Sequence, residues 1–106
     1  MKQSNNISTN LSGYEYSHNG LSCYILNNRE AYLHIEALAA QLAKIYKKVG
    51  GLDLAIVENC STLKAITRAA RQKLAGFGER WTMDDDRTAR KHLTAYLFET
   101  AHSLAA

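Results

Sequence analysis

The residues that could do chemistry in this chain are few and scattered. Glu99 and His102 stand at i, i+3, the spacing used by carboxylate-bridged di-metal bundles. Such a site needs a second pair of this kind and further glutamates on facing helices. Glu30 and His34 form another acid–histidine pair, at i, i+4, with no other glutamate directed at it. The ligand set is incomplete, so both pairs read as solvated surface pairs and no metal site is expected. Asp84, Asp85 and Asp86 offer carboxylates, but consecutive helical residues point about 100° apart and cannot converge on one ion. Their expected role is to cap a helix and satisfy its dipole.

The remaining catalytic signatures are missing from the sequence. It has no Gly-x-Ser-x-Gly elbow, no phosphate loop ending in Gly-Lys-Ser/Thr and no Cys-x-x-Cys. Gly76-Phe77-Gly78 lacks the preceding strand of a dinucleotide-binding loop. Cys23 and Cys60 read as small, mainly buried hydrophobic residues rather than a redox pair. The expectation is a non-enzyme with no cofactor and no catalytic residue.

Charge is the stronger signal. From Lys64 to Lys91 the chain holds eight basic residues against four acidic ones, a net +4. Lys64, Arg68 and Arg71 follow i, i+4, i+7 and share one helix face. No acid interrupts the run from Ser61 to Lys73. Such a stripe suits nucleic-acid phosphates, an acidic protein surface, or simply solvent. Three aspartates open the helix that follows, which argues against that helix as a DNA-recognition helix.

Aromatic residues supply the other candidates for partner contact. Trp81 and Phe77 flank the link between the last two helices; the expected role of Trp81 is to anchor that loop, and Phe77 between glycines is expected to fold back on the core. Tyr32 and Tyr46 flank the main stripe of the first helix. That second flank would meet the N-terminal hairpin or another subunit. Candidate partner-binding residues are therefore Lys64, Arg68, Arg71, Phe77, Trp81, Tyr32 and Tyr46.

The elements that must position these side chains are legible from periodicity. Residues 1–12 form a polar arm, and residues 13–106 a single helical domain. Tyr14 to Leu26 reads as a β-hairpin around the Asn19-Gly20 turn. A helix over about 29–49 is predicted by the stripe Ala31, Ile35, Leu38, Leu42, Ile45 and Val49, with Asn27-Asn28 at its start and Gly50-Gly51 at its end. A second helix is expected over about 53–75, with the stripe Ile56, Cys60, Leu63, Ile66, Ala70 and Leu74. A third, over about 82–105, opens on Thr82 with Asp85 three residues later, a capping box. The expected fold is mainly α: a three-helix antiparallel bundle with an N-terminal β-hairpin.

Length and composition agree with this. A chain of 106 residues folds as one domain and buries about two-thirds of its unfolded surface. It contains no proline, which permits long helices. Neither a secretory signal nor a membrane span is apparent, so the cytoplasm is the expected setting.

Two passages carry a family likeness: Tyr24-Ile25-Leu26-Asn27-Asn28-Arg29-Glu30-Ala31-Tyr32, and the run from Ala69-Ala70-Arg71 through Gly76-Phe77-Gly78 to Trp81-Thr82. Together they resemble small accessory proteins of phage satellites and phage-inducible chromosomal (pathogenicity) islands of enteric bacteria. That group holds derepression proteins and proteins that redirect helper-phage DNA packaging. The resemblance implies a protein that acts without catalysis by binding a helper-phage repressor or small terminase subunit. It assigns no site residues.

Overall fold

A computed structural model describes residues 20–106. These are mainly helical: α1 (Gly20–Asn27), α2 (Arg29–Val49), α3 (Leu54–Glu58), α4 (Ser61–Ala75) and α5 (Met83–Ala105). The polar arm and the expected first strand, Tyr14 to Tyr16, lie outside the described residues.

The expected second strand, Cys23 to Leu26, is instead the last half of α1. Leu21 and Ile25 sit at i, i+4 and both are fully buried, so a helical turn seats both in the core. That burial overrides the β-propensity of Cys-Tyr-Ile-Leu. Asn27 closes α1 by donating its side-chain amide to the Cys23 carbonyl at 2.8 Å. Asn28 then caps α2, its Oδ1 accepting the Ala31 N–H at 3.0 Å. At the far end Gly50 adopts φ 82°, the left-handed cap that favours glycine.

The expected helix over 53–75 is two helices. Asp53 caps α3, its Oδ1 accepting from Ala55 and Ile56. The ladder breaks at Asn59, whose side-chain amide turns back to the Ala55 carbonyl at 2.9 Å. The Glu58 carbonyl leaves the helical ladder and accepts from the Arg90 guanidinium at 3.0 Å. Cys60 starts α4, its Sγ accepting the Leu63 N–H at 3.5 Å. The cysteine read as a hydrophobic stripe residue is thus a half-buried N-cap.

The core forms where the stripes meet: Leu21 and Ile25 of α1, Ile35, Leu38 and Leu42 of α2, Leu63, Ile66 and Leu74 of α4, and Leu93 and Leu97 of α5. The most extensive pairing is α2 with α5. Thr67 and Arg71 of α4 meet Asp86 of α5, whereas Glu58 and Asn59, ahead of α4, meet Arg90. Chain direction therefore opposes between α4 and α5. The stripes stop short of some helix ends, for Ile45, Val49 and Leu104 are each about half exposed or more. Ile56, read as part of the buried stripe, is also exposed.

Candidate functional site

The α4–α5 loop and the start of α5 place the charged residues. Thr82 accepts the Asp85 N–H at 3.1 Å, and Asp85 accepts the Thr82 N–H at 2.9 Å. This is the capping box, with aspartate in the glutamate position. It fixes the register of the next residue, Asp86, which turns inward and is 3% exposed. The aspartate run thus divides: Asp84 is solvated, Asp85 caps, and Asp86 is buried.

Asp86 is the centre of a polar cluster. Its Oδ1 accepts from Arg90 Nε at 2.8 Å and from Thr67 Oγ1 at 3.1 Å. Its Oδ2 accepts from Arg71 Nε at 2.7 Å. Burial acts to raise the Asp86 carboxyl, but the bonds donated by Arg90, Arg71 and Thr67, with the Arg71 charge, outweigh it and hold the group below the usual aspartate range. Arg90 spans further, from Asp86 to the Glu58 carbonyl and, at 3.3 Å, the Asn59 side chain. Beside it the buried Glu58 carboxylate lies 3.8 Å from Lys91 Nζ.

This cluster corrects the reading of the basic stripe as a uniform face. Arg71 belongs to the interior as much as to the surface, with a side chain 23% exposed and bonded to Asp86. Lys64 and Arg68 are exposed. They lie on the same flank of α4 as Arg71 and border the α4–α5 seam. Arg87 is exposed beside Asp86, and its 3.9 Å approach to the solvated Asp84 contributes little.

The aromatic candidates divide in the same way. Tyr32 and Tyr46 are half-buried and engaged within the fold: Tyr32 shares a 2.7 Å hydroxyl contact with Tyr96, and Tyr46 meets His102 edge-on at 5.2 Å. The second flank of α2 therefore faces α5. Trp81 packs against the core and against Gly20, which matches its expected role as a loop anchor. Phe77 corrects expectation, for its side chain is 74% exposed rather than folded back. Gly76 carries a helical backbone, and Gly78, at φ 86°, makes the left-handed turn.

Sequence reasoning missed Thr67, Asp86 and Arg90 as a unit. The only signals were two i, i+4 pairs, Thr67–Arg71 and Asp86–Arg90, and nothing in spacing says that they face each other. It also missed Ser22, whose hydroxyl lies 3.3 Å from His92 Nδ1. A serine–histidine contact suggests a nucleophile and base, yet Ser22 is fully buried and out of reach of substrate. No group of three or more His, Cys, Asp or Glu side chains is arranged to hold a metal ion among the described residues. Glu99 and His102 are both exposed. None of the described helices is long and apolar enough to cross a membrane. No protein-family model matches the sequence, and no curated protein or solved structure matches it.

Proposed function

We propose that this chain is a non-enzymatic mobile-element protein that binds a helper-phage DNA-binding protein, either a small terminase subunit or a repressor. By doing so it redirects packaging or relieves repression. The antiparallel arrangement of α2, α4 and α5 serves as a rigid body, and the work is done in the cytoplasm on its surface. One observation carries the reading of a binding protein. Near the start of α5 the exposed Arg87 stands one helical turn from Met83, which is 63% exposed, and the loop before it carries Phe77, 74% exposed, and the exposed Arg80. Large apolar side chains beside guanidinium groups are the composition of protein-binding surfaces. The phage partner itself comes from the sequence resemblance.

Co-purification tests this directly. The tagged full-length chain is expected to retain a small terminase subunit or a repressor from a phage-infected lysate. Elution without either protein would count against it. Direct nucleic-acid binding is the second reading, favoured by Lys64 and Arg68 forming no ion pair among the described residues. It expects an affinity that falls steeply with salt. A mobility shift unchanged by alanine at Lys64, Arg68 and Arg71 would exclude it.

A further inference from the structure

A groove of about 370 Å³ runs between the last turns of α4 and the α4–α5 loop, lined by Arg71, Gln72, Ala75, Arg80, Trp81 and Thr82. Among the described residues no acidic side chain lines it. Arg71 enters it already oriented: its Nε is held by Asp86 at 2.7 Å, and its two terminal amino groups donate to nothing among the described residues. A single Asp86 charge is shared between Arg71 and Arg90, so that trio keeps one positive charge. Arg80, exposed, adds a second. The Thr82 hydroxyl is spent on Asp85, 3.0 Å away. Trp81 and Ala75 supply an apolar wall, and the indole is fixed in place against Gly20.

We propose that this groove takes a carboxylate side chain from an acidic segment of a partner protein, held between Arg71 and Arg80. The proposal rests on the reading of the chain as a binding protein and names what that surface recognises. The planar guanidinium fork of Arg71 matches a carboxylate through paired N–H donors. Because Asp86 already orders Arg71, little side-chain freedom is lost on binding. Phe77, exposed in the same loop, offers contact to an apolar residue next to the acid. A nucleic-acid strand fits less well. Its successive phosphates would have to pass the start of α5, where Asp84, with a side chain 89% exposed, repels them, whereas a flexible peptide can turn away once one carboxylate is seated.

Trp81 is the only tryptophan, so its indole N–H gives one resonance in a nitrogen–proton spectrum of the full-length protein. Titration with end-blocked hexaglutamate is expected to move that resonance and the Arg80 side-chain signal saturably. Arg80→Ala should weaken binding ~10-fold, the loss of a charge-assisted hydrogen bond. Lys48→Ala, at the end of α2, should leave it unchanged. An unmoved Trp81 signal, or equal affinity in Arg80→Ala, overturns the proposal. So does an oligothymidylate that moves the same signals at lower concentration than hexaglutamate. Capture of a phage protein equally by wild type and Arg80→Ala removes the groove while leaving the wider function. Hexaglutamate binding that depends on Arg80, with no phage protein captured, does the reverse.

Discussion

Asp86 Oδ1 accepts the Nε–H of Arg90 at 2.8 Å, one turn along the same helix, where the two residues are 3% and 7% exposed. An i, i+4 pair on a solvated helix face contributes a few tenths of a kcal/mol. Here both charges are out of water, so each depends on the other. Arg90 also bonds the Glu58 carbonyl, at the break between α3 and α4. One ion pair therefore ties α5 to the helix break and, through Thr67 and Arg71, to α4.

Removing the carboxylate should be costly. Asp86→Ala leaves Arg90 buried and unpaired, and the expected loss is about 3–5 kcal/mol of unfolding free energy. Arg71→Ala, acting on a side chain 23% exposed, should lose about 1 kcal/mol after solvent screening. Urea unfolding of both variants checks the order. Equal losses would mean that Arg71, not Arg90, is the main counter-charge.

The same cluster sets an acid limit. Asp86 titrates below the usual aspartate range in the folded chain, so over the acid range the unfolded chain binds more protons. The stability it contributes is complete above the unfolded aspartate pKa and is lost as pH falls through the depressed folded value. Thermal melts of wild type should fall steeply below about pH 4, the ordinary aspartate pKa. Asp86→Asn should be less stable at neutral pH and show a shallower acid slope. Parallel slopes in the two proteins would assign the acid sensitivity to other carboxylates.

Much of this fold can be read in the sequence because periodicity and caps are local signals. Asn28, Gly50, Asp53 and the Thr82–Asp85 box act where spacing places them. What spacing does not carry is which polar residues turn inward. Arg71 and Asp86 look like surface residues until α4 and α5 are set side by side. The break at Asn59 depends on Arg90, 31 positions away, and no local rule signals it. Cys23 to Leu26 has the composition of a strand and becomes a helix because Leu21 and Ile25 must share one buried face. Phe77 between two glycines reads as a side chain folded back on the core, and the turn at Gly78 leaves it in solvent.

The capping box gives a smaller, cleaner prediction. Thr82→Ala removes the acceptor for the Asp85 N–H and one of the donors to the Asp85 carboxylate. A loss of about 1 kcal/mol is expected. Thr82→Ser should keep nearly all of it, since the hydroxyl remains. Chemical denaturation separates the two. A serine variant as unstable as the alanine one would show that the threonine methyl, not the cap, matters.

Gly20 makes the last prediction, and it concerns packing rather than charge. A Cβ at this position would lie 2.4 Å from Cη2 of Trp81, at the rigid end of the indole. In an open helix, alanine would replace glycine with a gain of up to about 1 kcal/mol. Here the ring must move or α1 must tilt, and overpacking of this kind costs about 1–3 kcal/mol. The clash should win, so Gly20→Ala is expected to lower stability. Because Trp81 is the sole tryptophan, its emission reports the displacement directly. A red shift on going from wild type to Gly20→Ala is expected, as the indole leaves its seat for water. An unchanged spectrum with raised stability would mean that α1 does not rest on Trp81, and the groove beside Arg71 and Arg80 would lose its fixed wall.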